Sequence, residues 1–284
     1  MRLREAASRL RSLFWYTPGL VLITTGYGIW SGWISRHDPD GCRQHLVAQR
    51  WARQLLRLAQ VRVDIRGLEN LPPGPAVFVA NHLSYTDTPV IFASLPVQFR
   101  ILALRGLFRI PLLGGHLRRA RHLPVEQSSA RASMHSLLGA AERVRQGVSV
   151  FIFPEAHRSP DGQLKPFVAG AFLLALRAQV PIVPMALIGT HELLPPGSWH
   201  IRPGSVRFVI GSPIIPPGSP NPRCRHARAP GEQAVPQNWG MIFSLPPVQA
   251  NWVRRSSKWI QRTFTFATAW IVSTSWAIWD PRKH

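Results

Sequence analysis

Acidic residues are scarce in this 284-residue chain: 13 Asp and Glu stand against 34 Lys and Arg, a formal net charge of +21. Lysine is nearly absent too, with only Lys165, Lys258 and Lys283, so the charge is carried almost wholly by arginine. An excess of this size calls for an anionic partner: nucleic acid, an anionic lipid surface, or a phosphorylated substrate. The arginines are spread along the chain and not gathered into one basic block, and no RRM, KH, helix-turn-helix or zinc-finger pattern accompanies them, which weighs against nucleic acid. The two cysteines, Cys42 and Cys224, are far apart, with neither C-x-x-C nor framework spacing. A disulfide scaffold and a cysteine-ligated zinc site are therefore not indicated. A G-x-S-x-G elbow is also missing, which lowers a serine-hydrolase reading with Ser84 or Ser159 as nucleophile.

What is present falls into three parts, residues 1–60, 61–215 and 216–284. In the first, Leu13 to Ile34 carries no charge and is rich in Leu, Ile, Trp and Tyr, broken by Pro18 and several glycines. Its length would just cross a hydrocarbon core of about 30 Å. Arginines on both flanks are awkward for a single crossing, so a re-entrant or interfacial helical anchor on an anionic membrane surface is the expectation. The next segment, Arg43 to Leu58, repeats Leu46, Val47, Trp51, Leu55 and Leu58 at helical spacing. It reads equally well as part of that anchor or as a helix packed on the core.

From Val61 the period becomes two, as in a half-buried strand, and apolar runs of strand length follow at Ala76–Ala80, Phe99–Ala103, Ser149–Phe153, Ile182–Leu187 and Val206–Ile210. Helical patterns at Ser128–Val144 and Ala169–Ala178 separate some of them. The expected fold class is a single α/β domain, a central mixed β-sheet flanked by helices, with the N-terminal hydrophobic helical membrane anchor added. Beyond about Pro213 the chain is rich in proline and arginine and then in tryptophan, uncharged from Thr263 to Trp279. This tail reads either as a second membrane-contacting segment or as a poorly ordered extension without a role.

Two clusters of chemically useful residues follow predicted strands. Asn81-His82-Leu83-Ser84-Tyr85-Thr86-Asp87 places an imidazole and a carboxylate five residues apart. On a regular helix these would diverge by roughly 140°, so contact needs a turn, which Pro89 makes reasonable by opening a helix just after it. Such a carboxylate would fix the imidazole tautomer for general-base work on an alcohol. The plainer reading is a capping Asp and an incidental surface His. Phe153-Pro154-Glu155-Ala156-His157-Arg158-Ser159 gathers a carboxylate, an imidazole and a guanidinium in one turn, either a phosphate site or a solvated loop with a local ion pair.

Taken in order, these blocks resemble the lysophospholipid and glycerolphosphate acyltransferase superfamily, most nearly its bacterial 1-acyl-sn-glycerol-3-phosphate acyltransferases. The resemblance spans roughly Val61 to Ile214. The family's N-H-x-x-x-x-D block is similar to Asn81–Asp87 and its L-F-x-x-P-x-x-G block to Leu107–Gly114, preceded by Arg105. Its F-P-E-G-T-R-S block is similar to Phe153–Ser159, and its V-P-I-V-P block stands at Val180–Pro184. The resemblance implies transfer of a fatty acyl group from acyl-CoA or acyl carrier protein to the hydroxyl of lysophosphatidic acid, giving phosphatidic acid. Glycerol-3-phosphate or another lysolipid is the alternative acceptor. It implies His82 as general base and Asp87 as its orienting partner. Arg105, Arg158 and Ser159 would hold the acceptor's phosphate, with Glu155 shaping the same pocket and a helix from Phe108 to Leu117 taking the acyl chain. No metal, cofactor or acyl-enzyme is implied, and the expected place is the cytoplasmic face of a bacterial cell membrane. Ala156 and His157 depart from the family's Gly and Thr, which predicts a turn either strained at 156 or differently shaped.

Overall fold

The structure, a computed structural model, describes residues 2–216. The Pro/Arg- and Trp-rich tail expected from 216 onward lies, after its first residue, outside the described residues. In chain order the helices are α1 (Arg2–Arg11), α2 (Thr17–Ile34), α3 (Cys42–Leu58), α4 (Asp87–Ser94), α5 (Leu113–Arg119), α6 (Ala130–Arg145), α7 (Gly170–Ala178) and α8 (Thr190–Leu193). The strands are β1 (Val61–Arg66), β2 (Val77–Ala80), β3 (Arg100–Leu104), β4 (Leu123–Val125), β5 (Val150–Ile152), β6 (Ile182–Ile188) and β7 (Gly204–Ile210).

The seven strands form one sheet in the order β1-β7-β6-β2-β5-β3-β4, parallel throughout except for the antiparallel β6–β7 pair. A single α/β domain with a mixed sheet is therefore what the described residues build. Two apolar clusters lie on the two faces of the sheet because neighbouring residues of each strand point opposite ways. Phe78, Ala80 and Phe151 join Ala52, Leu56, Ile91 and Phe99 on one side, while Val77, Val79, Val150 and Ile152 join Ala141, Val144, Phe172 and Ala175 on the other. Burial on both faces explains why β2 is an unbroken apolar run, whereas the edge strand β1 alternates half-buried and exposed positions.

The central strand β2 lies between β5 and β6. The chain leaves it through α4 for β3 on one side, while β6, β7 and β1 occupy the other. Its carboxyl end is thus the topological switch point, where an open α/β sheet leaves a crevice between diverging loops. Being parallel to β2, β5 and β3 deliver their following segments, 153–159 and 105–109, to the same edge.

Local chemistry sets several boundaries. Ser129 caps α6 by accepting a hydrogen bond from the Ala132 backbone N–H, so the helix opens two residues later than its apolar pattern begins. The expected helix from Phe108 to Leu117 is interrupted. A 3-10 turn covers Arg105–Arg109, Leu112 takes φ +61°, and α5 starts only at Leu113. Gly114 is required there, because a Cβ would lie 2.1 Å from the Phe108 carbonyl oxygen.

Near the N-terminus the uncharged run is divided between a π-helical turn (Ser12–Tyr16) and α2. Among the described residues no helix is long and apolar enough to cross a membrane. Of the two readings left open for α3, packing on the core is the one observed. Val47, Ala48, Ala52, Leu55 and Leu56 are buried, while Arg43, Arg50, Arg53 and Arg57 are exposed. In turn α2 lies on α3: Gly19 faces Leu58, and at the other end Ser31 donates to Gln44 Oε1 at 2.6 Å. The outward face of this layer is apolar, with Phe14, Trp15, Leu22, Ile29 and Trp33 each more than 60% exposed.

Candidate active site

The segment after β2 is fixed before any catalytic atom is considered. Asn81, buried, uses its side-chain amide as an extra rung of the sheet: Nδ2 donates to the Leu187 carbonyl at 2.8 Å and Oδ1 accepts from the Leu187 N–H at 2.7 Å. Ser84 Oγ donates to the Leu194 carbonyl at 2.7 Å, tying the next turn to the residue after α8. Between these anchors His82 is held from four directions. Its N–H donates to Glu155 Oε1 at 2.8 Å, and its carbonyl accepts from the Ser159 N–H at 2.9 Å. Its ring stacks on Phe153 with centroids 3.8 Å apart and planes 12° from parallel. Its Nδ1 lies 2.8 Å from Asp87 Oδ2.

The turn that the His–Asp spacing required is therefore present, and Asp87 makes it. Oδ2 also accepts from the Leu83 and Ser84 backbone N–H groups, at 2.7 and 2.8 Å. The carboxylate thus closes its own loop and does not cap α4, whose first residue it is. Two backbone N–H groups already donate to this oxygen of a fully buried side chain, so it faces His82 Nδ1 as an acceptor. The proton of the shared hydrogen bond then belongs to His82 Nδ1, and the lone pair falls on Nε2. That nitrogen makes no hydrogen bond within the described protein, and the imidazole side chain keeps 11% of its surface exposed. Chemically, this is an imidazole with a fixed tautomer and a free acceptor nitrogen.

The third block encloses the same turn. Glu155 is buried and spends both oxygens on backbone donors, Oε1 on His82 and Oε2 on Lys165 at 2.9 Å. Burial pushes its carboxyl up to about 7, against the opposing pull of those two N–H groups. Ala156 adopts φ +63°, the left-handed conformation that glycine takes without cost. Of the two outcomes predicted there, strain is the one observed: alanine itself takes the left-handed conformation.

The four residues expected at a phosphate are not equivalent. Arg158 is exposed, its guanidinium carbon 4.2 Å from the centre of the Tyr85 ring, and it donates to no protein acceptor among the described residues. Arg105, at the end of β3, is paired with Glu126 at 2.9 Å in an exposed contact. Glu155 faces the backbone, as described. Ser159 is fully buried, and its hydroxyl donates to Asp161 at 2.6 Å. Because Ser84 and Ser159 are both buried with their hydroxyls donated elsewhere, neither is placed as a nucleophile for His82.

Asn81, Phe153 and Tyr85 lie inside the two blocks, but nothing in the sequence singles them out. Their roles depend on partners 106, 71 and 73 positions away, respectively. No local signal marks such pairs.

Residues 62–188 match the acyltransferase family model. The chain is 38% identical over 173 residues to the chloroplastic 1-acyl-sn-glycerol-3-phosphate acyltransferase BAT2 of Brassica napus, covering 60% of this chain and 50% of that protein. It is 37% identical over 221 residues to the chloroplastic 1-acyl-sn-glycerol-3-phosphate acyltransferase LPAT1 of Arabidopsis thaliana, covering 74% and 60%. The match thus spans about half to three fifths of these plant relatives. Among solved structures, the 1-acyl-sn-glycerophosphate (LPA) acyltransferase PlsC from Thermotoga maritima superposes with a TM-score of 0.64 at 27% identity, over 78% of this chain and 90% of that one. The segment 62–188, which carries His82, Asp87 and Arg158, is thus an acyltransferase-family domain.

Proposed function

We propose that this chain transfers a fatty acyl group from a thioester donor, acyl-CoA or acyl carrier protein, to the hydroxyl of lysophosphatidic acid, giving phosphatidic acid. The observation that carries the reading is the 2.8 Å His82–Asp87 contact, with Nε2 left free at the switch-point edge of the sheet. His82 Nε2 takes the proton of the acceptor hydroxyl as that oxygen attacks the thioester carbonyl carbon. Asp87 stabilises the imidazolium. When the tetrahedral intermediate collapses, the C–S bond breaks and the departing sulfur takes the proton back from His82. The protein's share of the rate lies in positioning two substrates and one base.

The relatives named above give the acceptor's chemistry, and the exposed guanidinium of Arg158 supports it, since a planar fork binds phosphate oxygens in pairs. Arg105 is a second candidate cation, for an exposed ion pair such as that with Glu126 is weak and exchangeable. Such an acceptor resides in a bilayer. The exposed apolar face of the π turn and α2 would rest on the lipid surface, with Leu107, Ile110, Leu112 and Leu113 adding apolar area beside it, since Gly28 faces Leu112. This reading places the protein as a peripheral or re-entrant guest of an anionic membrane, on the cytoplasmic face in a bacterium.

The test is acyl transfer from labelled acyl-CoA to lysophosphatidic acid by membranes carrying the native chain, beside His82→Ala at equal expression. A loss of about 10²–10⁴-fold is expected in the variant. Native activity that survives His82→Ala, or no transfer to any phosphate-bearing acceptor, would falsify the assignment.

A further inference from the structure

Tyr85 stands three residues after the proposed base, yet its ring touches the other block. The Arg158 guanidinium carbon sits 4.2 Å from the ring centre, well inside cation–π range. Tyr85 itself is 47% exposed, so core packing does not account for an aromatic side chain here. A guanidinium lying on a ring loses one face and keeps its N–H groups, which lie in its own plane and point outward from the edge. No protein acceptor among the described residues takes those N–H groups. Arg158 also springs from a turn whose backbone is hydrogen-bonded on both sides of it. Ser159 N donates to the His82 carbonyl, Lys165 Nζ donates to the Arg158 carbonyl at 3.0 Å, and the two blocks are joined again through Glu155. The arginine side chain is held by no hydrogen bond among the described residues, and the tyrosine ring supplies that missing constraint.

We infer that Tyr85 is a positioning residue for acceptor recognition: its ring pre-sets Arg158 with a free N–H edge, so that a phosphomonoester on the acceptor is bound by a guanidinium already ordered. The inference rests on the reading of Arg158 as the phosphate ligand. Pre-ordering a rotamer-rich side chain favours binding without touching the chemical step, so the effect belongs in KM and not in kcat.

The experiment compares acyl transfer to lysophosphatidic acid by the full chain in native form and as Tyr85→Leu, Tyr85→Phe, Arg158→Ala and the double variant Tyr85→Leu/Arg158→Ala. At exposed sites a cation–π contact corresponds to about a two- to fivefold change in affinity. Tyr85→Leu is expected to raise the acceptor KM by about that factor with kcat kept, and Tyr85→Phe, which retains the ring, to restore it. In the Arg158→Ala background the Tyr85→Leu effect should vanish, because the two side chains act as one unit. An equal effect of Tyr85→Leu in both backgrounds, or a loss confined to kcat, overturns the inference while leaving the phosphate reading intact. An unchanged KM in Arg158→Ala overturns the phosphate reading, and this inference with it. Should Tyr85→Leu fail to fold, the comparison moves to Tyr85→Phe against Tyr85→Gln, and equal KM values for that pair count against the inference.

Discussion

Ala156 stands where the block that Phe153–Ser159 resembles has glycine, and the structure shows what its side chain meets there. A left-handed φ of +63° costs an alanine about 1–2 kcal/mol, against which glycine would lose part of its advantage by freeing the unfolded chain. The net expectation for Ala156→Gly is stabilisation by about 0.5–1 kcal/mol, read as a higher urea midpoint at unchanged slope. A midpoint that stays put or falls would mean that the turn has relaxed around alanine. The strain is tolerated because the flanking atoms are pinned: the Ala156 N–H donates to the Phe153 carbonyl and Glu155 is bonded at both oxygens. Strain held by over-determined neighbours is common where geometry serves chemistry.

At the scale of elements, the telling contacts join α2, α3 and α5 beneath the outer layer. Ser31 is fully buried, donates to Gln44 Oε1, and accepts from Arg119 at 3.2 Å. Because its one proton goes to Gln44, the 2.9 Å contact with His116 Nδ1 has the imidazole as donor. Close by, His45 packs on Phe92 and Phe99, and His122 Nδ1 accepts from the Ile101 N–H at 3.1 Å. Burial lowers all three imidazoles, His45 and His116 from 6.5 to about 4, with Arg100 or Arg119 adding to the effect. They are neutral in the folded state, so the unfolded chain binds protons that the native one refuses as pH falls from about 6.5 to 4, and stability drops across that window. Glu155 acts in the opposite sense, its raised value favouring the folded state more as pH falls from about 7 to 4.5. The histidine contribution is isolated by subtraction. His45→Leu, which suits a pocket of phenylalanines, should lose less stability between pH 6.5 and 4.5 than the native chain, measured by urea unfolding at each pH. Parallel curves for the two proteins would remove His45 from the account.

For the whole molecule, the proposed lipid contact would be made by a chain with a net charge of +21 and an apolar outer layer. Electrostatic attraction is worth about 1 kcal/mol for each Lys or Arg near an anionic bilayer and fades within the Debye length, about 3 Å at 1 M salt. Apolar insertion does not fade with salt. Vesicle sedimentation should therefore show two components: binding to anionic vesicles that weakens as salt rises, and a residue of binding that persists. The variant Trp15→Glu/Leu22→Glu changes side chains 64% and 72% exposed, at little expected cost to the fold, and should lose the persistent component alone. Equal persistence in native and variant protein would mean that another surface contacts the lipid.

Much of this was legible in the amino-acid sequence, because some signals are local. Period two at Val61–Arg66, unbroken apolar runs for the buried strands and helical spacing at 43–58 follow from which atoms each element buries. Strand positions were accordingly read to within a residue or two. The short edge strand Leu123–Val125 escaped, since three half-buried residues that include Pro124 carry neither pattern. His82 and Asp87 could be nominated as a pair because only a turn separates them. The sequence by itself thus determined the types of the longer elements, the class of sheet and the identity of the imidazole and its carboxylate. Tertiary structure decided which strand ends share an edge, that Glu155 supports the backbone of His82, and that Arg158 lies on Tyr85 while Arg105 is paired with Glu126. Side chains dozens of residues apart meet only where strand order and register bring them, and both are set by packing across the whole sheet.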